Sequence, residues 1–128
     1  MKLTLEPQTT DFYKIGQNEI AISSGGFEMR ASGINTCSVL IIISQSRRML
    51  AHIDASACAR TLADIIQKNF NLEDQSLSLE LISGSGTFGS TDLSEAVIKN
   101  ALILAGWRKD IFTDSYKYTD DFDDLVLS

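Results

Sequence analysis

The chain is poor in the residues that punctuate, staple or ligate: its 128 residues include one proline, one histidine, one tryptophan and two cysteines. A histidine and two cysteines cannot complete a usual four-ligand zinc site without recruiting carboxylates, and Cys37 and Cys58 lack the close spacing of zinc or dithiol motifs. No metal centre is expected. Long apolar runs are also missing, since the longest, residues 39–43, is strand-sized and far short of the ~20 residues of a membrane span. No membrane partner is expected. Residues 1–17 scatter Glu6, Pro7 and Asp11 among apolar side chains and form no signal-peptide pattern. Thiols in a reducing, cytoplasmic compartment are therefore expected, with a Cys37–Cys58 disulfide as the alternative.

Positive charge is scarce too, with 11 lysines and arginines against 17 acidic residues and a net charge of -6. That balance opposes nucleic-acid backbones and anionic lipid, and favours a partner protein with a basic surface. With 44% hydrophobic and 22% charged residues, the chain reads as a single domain over residues 1–128. Such a domain buries roughly two-thirds of its unfolded surface, enough for a core without staples.

Alternation and turn residues divide the chain into short elements. Residues 2–5 read as an edge strand ended by Pro7, and 19–23 with 27–32 as a strand pair across Gly25 and Gly26. Residues 37–44 are β-branched on both faces, the pattern of a central strand covered from both sides, and 48–54 follow as its hairpin partner. Residues 56–69 carry Cys58, Leu62, Ile65 and Ile66 at steps of three and four, which predicts an amphipathic helix capped by Asp54 or Ser56, with Cys58 on its buried stripe. Strict alternation over 76–82 predicts a strand running into the flexible sequence 83–90. A second helix is marked by a capping box of Asp92 and Glu95, an apolar stripe of Val97, Ile98, Ala101, Leu102 and Ala105, and a terminal Gly106. Closing strands are expected at 111–118 and 125–127, around the acidic turn 120–124. The expected class is α+β: a layered, mostly antiparallel β-sheet assembly with two helices on its outer face.

Parity then links two rare residues. In a hairpin that pairs Ile43 with Arg48, Cys37 and His52 fall diagonally on one face, and a symmetric shift of the turn puts them directly opposite. A thiol beside an imidazolium has its pKa lowered to roughly 3.5–7.5, so the pair can supply a nucleophile and a base. Backbone N–H groups near Asn35, Thr36 and Cys37 are candidates for an oxyanion site. Asp54 is placed either to orient His52 or to cap the following helix. Burial on an apolar strand is the bland alternative for Cys37, as is a satisfied core position for His52.

The sequence Ser32-Gly33-Ile34-Asn35-Thr36-Cys37-Ser38-Val39-Leu40-Ile41-Ile42-Ile43, followed by Met49-Leu50-Ala51-His52-Ile53-Asp54, resembles the chemotaxis receptor deamidases of the CheD type. It is similar also to the catalytic domain of cytotoxic necrotizing factor, to Burkholderia lethal factor and, in element order, to protein N-terminal asparagine amidohydrolases. The shared pattern is a Gly-containing loop, a Cys opening an apolar strand and a His on the partner strand, and it covers about residues 32–110. The resemblance implies thiol-dependent deamidation of glutamine or asparagine without metal or organic cofactor, Cys37 as nucleophile and His52 as base and then acid. It also implies a protein substrate, met in the bacterial cytoplasm or in a target cell reached through a specialised secretion system. The sequence departs from the deamidases at Thr36, where they have Gly or Ser. Ala31 stands where they have a hydroxyl residue, so Ser32 takes that third role only if the loop differs by one residue.

Two rival functions use the same chain. A non-catalytic, acidic protein-binding module, an inhibitor or adaptor, would act through residues 120–124 and nearby aromatics. A thiol hydrolase of esters or peptides would use the same Cys37–His52 pair.

Overall fold

The computed structural model describes residues 2–4, 12–24, 28–32, 34, 37–84, 90–111, 113–115 and 124–127. Nine strands and two helices follow one another among them: β1 (Lys2–Thr4), β2 (Phe12–Ile15), β3 (Glu19–Ser23), β4 (Glu28–Ser32), β5 (Ser38–Ile43), β6 (Arg48–Ile53), α1 (Ala59–Asn69), β7 (Ser78–Ser83), α2 (Ser90–Ala105), β8 (Thr113–Ser115) and β9 (Asp124–Leu127). The α+β class and the mostly antiparallel layering are as expected.

Six strands form one sheet in the order β1-β3-β6-β5-β7-β8, whose inner four are antiparallel and whose two edge pairings are parallel. A second sheet, β2-β4-β9, joins a parallel to an antiparallel pair. Strand β5 sits inside the larger sheet because residues 38–42 are buried on both faces, which requires cover above and below.

Alternate residues of the large sheet feed two separate cores. Ile20, Ile22, Leu40, Ile42, Met49, Ala51, Ile53 and Leu81 pack against Leu62, Ala63 and Ile66 of α1 and Ile98, Ala101 and Leu102 of α2. Both helices therefore cover one face. Ala21, Val39, Ile41, Leu50 and Ile82 point the other way, toward Ile15 of β2, Met29 and Ala31 of β4, and Ile34. The layers run small sheet, large sheet, helices.

The pairing expected between residues 19–23 and 27–32 does not form. Strand β3 pairs with β6 and β1, and β4 pairs with β2 and β9 in the other sheet. Ile20, Ala21 and Ile22 are all buried, so β3 needs both faces covered, which an isolated hairpin cannot provide. Strand β2 has no counterpart in the sequence reading. The edge position of residues 2–4 is as expected; Leu5 and Pro7 lie outside the described residues.

Two helix starts also differ. Cys58 is the exposed N-cap of α1, not part of its buried stripe, because the helix begins at Ala59 and turns Leu62, Ala63 and Ile66 inward. In α2 the capping box does not form. The helix starts earlier, at Ser90, which leaves Glu95 to receive the Ser83 hydroxyl at 3.0 Å and Lys99 at 2.7 Å.

Candidate functional site

The β5–β6 register pairs Ile43 with Arg48 and Val39 with His52. Val39 and His52, as register partners, point to the same face of the sheet, and Cys37 lies two residues before Val39, just ahead of β5. That face is the one turned toward the small sheet. Cys37 is 2% exposed and His52 1% exposed, so both are interior side chains.

The backbone fixes Cys37 from both sides. Its N–H donates to the Ile34 carbonyl at 3.0 Å, closing a turn over residues 34–37, and its carbonyl accepts from Gly84 N–H at 2.9 Å. The first bond corrects one expectation: the Cys37 amide is engaged within its own turn and is not a ready oxyanion donor. Asn35 and Thr36, the other two candidates for that role, lie outside the described residues. Both cysteines are thiols, and no disulfide joins them.

His52 stands between two strands. Its carbonyl accepts from Asn18 N–H at 2.6 Å, but neither ring nitrogen has a hydrogen-bond partner among the described residues. Burial pushes the imidazole below its ordinary pKa of 6.5, opposed by the negative charges of Asp54 and then Glu19. Neutral imidazole is the resting form near neutral pH. A buried imidazole with two unmade hydrogen bonds carries a cost of roughly 1–3 kcal/mol per unsatisfied group, which purely structural residues seldom carry.

Glu19 is the acidic neighbour that sequence reasoning misses. It is the direct register partner of His52 across β3 and β6, and its Oε1 accepts from Gly16 N–H at 2.8 Å. The signal was present in the sequence as parity, but assigning residues 19–23 to the wrong partner strand hid it. Across the sheet the row reads Glu19, His52, Val39, Ile82.

Asp54 serves a turn. Its carboxylate accepts from Ser56 N–H at 2.8 Å, from the Ser56 hydroxyl at 2.5 Å and from Gln17 Nε2, while its own N–H donates to Asn18 Oδ1 at 2.9 Å. Burial raises the Asp54 pKa, but the bonds with Ser56, Asn18 and Gln17 outweigh it and hold the group down to about 2. Asn18 takes a φ of 57°, a left-handed conformation that asparagine tolerates, and so folds the 16–19 turn back onto Asp54. The two turns together cover the end of β6 that carries His52. Ser32 closes β4 opposite Asp124 in the small sheet, and its side chain lies outside the described residues.

A second polar group lies on the helix side of the same strand. Ser38 Oγ is 2.8 Å from Ser94 Oγ and 3.2 Å from Ser83 Oγ, and all three serines are buried. Ser83 passes the chain of bonds to Glu95 and Lys99. This network ties the start of α2 to β5 and β7 directly behind Cys37.

Two cavities lie elsewhere. One of about 200 Å³ is lined by Asn18, Ser56, Ala57, Cys58 and Thr61, and a shallower one of about 730 Å³ sits at the opposite end of the hairpin, among Arg47, Lys68, Phe70, Gly106 and Arg108. Among the described residues no group of three or more His, Cys, Asp or Glu side chains is arranged to hold a metal ion. Among the described residues no helix is long and apolar enough to cross a membrane.

No protein-family model and no curated protein sequence matches the chain.

Proposed function

We propose that this chain is a cysteine-dependent protein deamidase that converts a glutamine or asparagine carboxamide to a carboxylate and releases ammonia. The observation that supports the reading is the register pairing Val39 with His52, which puts the chain's one histidine opposite a residue two positions from Cys37.

The chemistry follows from the protonation states. Because burial keeps His52 neutral, it acts as a base and not as a standing imidazolium, so the pair begins as thiol and imidazole. His52 takes the Cys37 proton as sulfur attacks the carboxamide carbon, then gives that proton to the departing ammonia. Water, deprotonated by His52, cleaves the thioester and returns the thiol. Glu19 and Asp54 stabilise the transient imidazolium by charge, Glu19 from directly across the sheet. Gly84, whose N–H donates to the Cys37 carbonyl, puts the start of the 83–90 sequence beside the nucleophile.

The reading is tested on a soluble protein extract treated with the chain, digested and weighed by peptide mass. Amide-to-acid conversion is expected with the wild type and its loss with Cys37→Ser and with His52→Ala. Equal conversion by wild type and Cys37→Ser removes Cys37 from the mechanism.

A second reading, a non-catalytic acidic binding module on this fold, is favoured by the near-complete burial of the pair. Alkylation of Cys37 by iodoacetamide that is slowed in His52→Ala supports the enzyme. A Cys37 that stays unmodified in the folded protein supports the binding module. Residues 120–123 of the acidic run lie outside the described residues.

A further inference from the structure

The two helices cover the same sheet but present different faces to solvent. Outward from α1 stand Arg60, Thr61, Asp64, Gln67 and Lys68, a polar surface opposite the stripe of Leu62, Ala63 and Ile66. Helix α2 is apolar on both sides. Its inner stripe is buried, yet Leu93, Ile103 and Leu104 are 61%, 62% and 42% exposed, and they are the large apolar side chains exposed among the described residues. At 100° per residue these three, with exposed Ala96 and Asn100 between them, fall within an arc about 100° wide, the width of a packing face. A single exposed leucine needs no explanation, but three on one helix face mark a contact surface.

We infer that the outer face of α2 is a self-association surface, on which two copies of this chain pair antiparallel about a two-fold axis near the middle of the helix. The charge pattern along the helix selects this occupant. Exposed Asp92 stands at its start, and exposed Arg108 and Lys109 follow its end. Lys109 lies over the Trp107 ring at 5.5 Å, whereas Asp92 and Arg108 have no ion-pair partner among the described residues. An antiparallel pair with Leu93 against the partner copy's Leu104 brings each Asp92 toward the other copy's Arg108. It also sets the two helix dipoles antiparallel, side by side.

The centre of the face supports the same arrangement. Ala96 is small enough for close approach, and Asn100, near the axis, meets its own copy, so that its amide is hydrogen-bonded in the pair. Against a uniformly apolar partner that amide would be left unsatisfied, the device by which a buried Asn selects pairing geometry in helical interfaces. The face is rigid, because Ser94 on the inner side is bonded to Ser38 of β5. One helix face is a small interface, so association at micromolar to submillimolar concentration is expected.

Sedimentation equilibrium on the full chain tests the inference. The wild type is expected to populate a dimer that Leu93→Glu with Ile103→Glu weakens at least ~10-fold, the far-UV circular dichroism and urea midpoint being unchanged. Asp92→Arg is expected to weaken it also, and adding Arg108→Asp to restore it. A wild type that stays monomeric at several hundred micromolar overturns the inference, as does a dimer indifferent to the Leu93 and Ile103 substitutions. Should that pair of substitutions impair folding, the charge exchange decides: a dimer that the single exchange leaves intact, or that the double exchange fails to restore, overturns the antiparallel arrangement.

Discussion

Glu19 and His52 are register partners on β3 and β6, so a carboxylate stands beside the chain's one imidazole on a face otherwise filled by Ala21, Val39, Ile41 and Leu50. Burial lowers the imidazole pKa and the carboxylate resists that shift. With one histidine in the chain, its ring signals are identified without further assignment. A midpoint below 6.5 is expected in an NMR titration, moving lower still in Glu19→Gln. A wild-type midpoint at or above 6.5, or an upward shift in the variant, contradicts the arrangement.

The same depressed base makes stability depend on pH in a defined direction. Between its folded pKa and 6.5 the unfolded chain binds the proton and the folded chain does not, so stability is full above 6.5 and falls as pH drops below it, by at most ~1.4 kcal/mol per pH unit. Asp54, held at about 2 against an ordinary 3.8, adds stability that is complete above 3.8 and lost as pH falls through about 2. Urea unfolding at pH 7.5 and 5.5 is expected to show a loss in the wild type that is reduced in His52→Gln. An equal loss in both places the titrating group elsewhere.

Removing one hydroxyl from the serine network tests what fastens α2. Ser94→Ala deletes the 2.8 Å partner of Ser38 in a site without solvent, which is expected to cost about 1–2 kcal/mol in urea unfolding. Ser46→Ala, at an exposed turn, is expected to change stability by less than about 0.5 kcal/mol. Equal effects would mean that the network contributes nothing.

Legibility in the sequence followed the range of the forces involved. The sequence left the register of the hairpin open, with Ile43–Arg48 one of the alternatives it allowed, but the hairpin itself was readable, because β-branched residues on both faces and a polar turn are local signals. The partner of β3 was not, since nothing within residues 19–23 says that residue 52, far along the chain, supplies its neighbour. That error hid Glu19, the carboxylate directly across the sheet from His52. Parity put Cys37 and His52 on one face as an expectation, whereas their near-complete burial had no periodic signature in the sequence. Cys58 was misread for a different reason: its helix begins at Ala59 and not at Ser56, which leaves Cys58 at the cap, outside the helical stripe and exposed to solvent.

That last correction has an experimental consequence. Cys58 is exposed at the N-cap of α1, where the hydroxyl and amide of Thr61 and the amide of Arg60 hold its thiol below the ordinary range, although no cap hydrogen bond of regular geometry forms. Cys37 is buried, at 2% exposure. Limiting iodoacetamide on the folded protein is therefore expected to alkylate Cys58 first, with peptide masses resolving the order. A bulk thiol count would report the wrong residue. In Cys58→Ser the remaining rate belongs to Cys37, and its response to His52→Ala then measures the coupling of thiol and imidazole directly. If Cys37 is modified before Cys58 in the wild type, the interior around Cys37 opens to solvent far more readily than its burial implies, and the pair is accessible to a substrate as well as to the reagent.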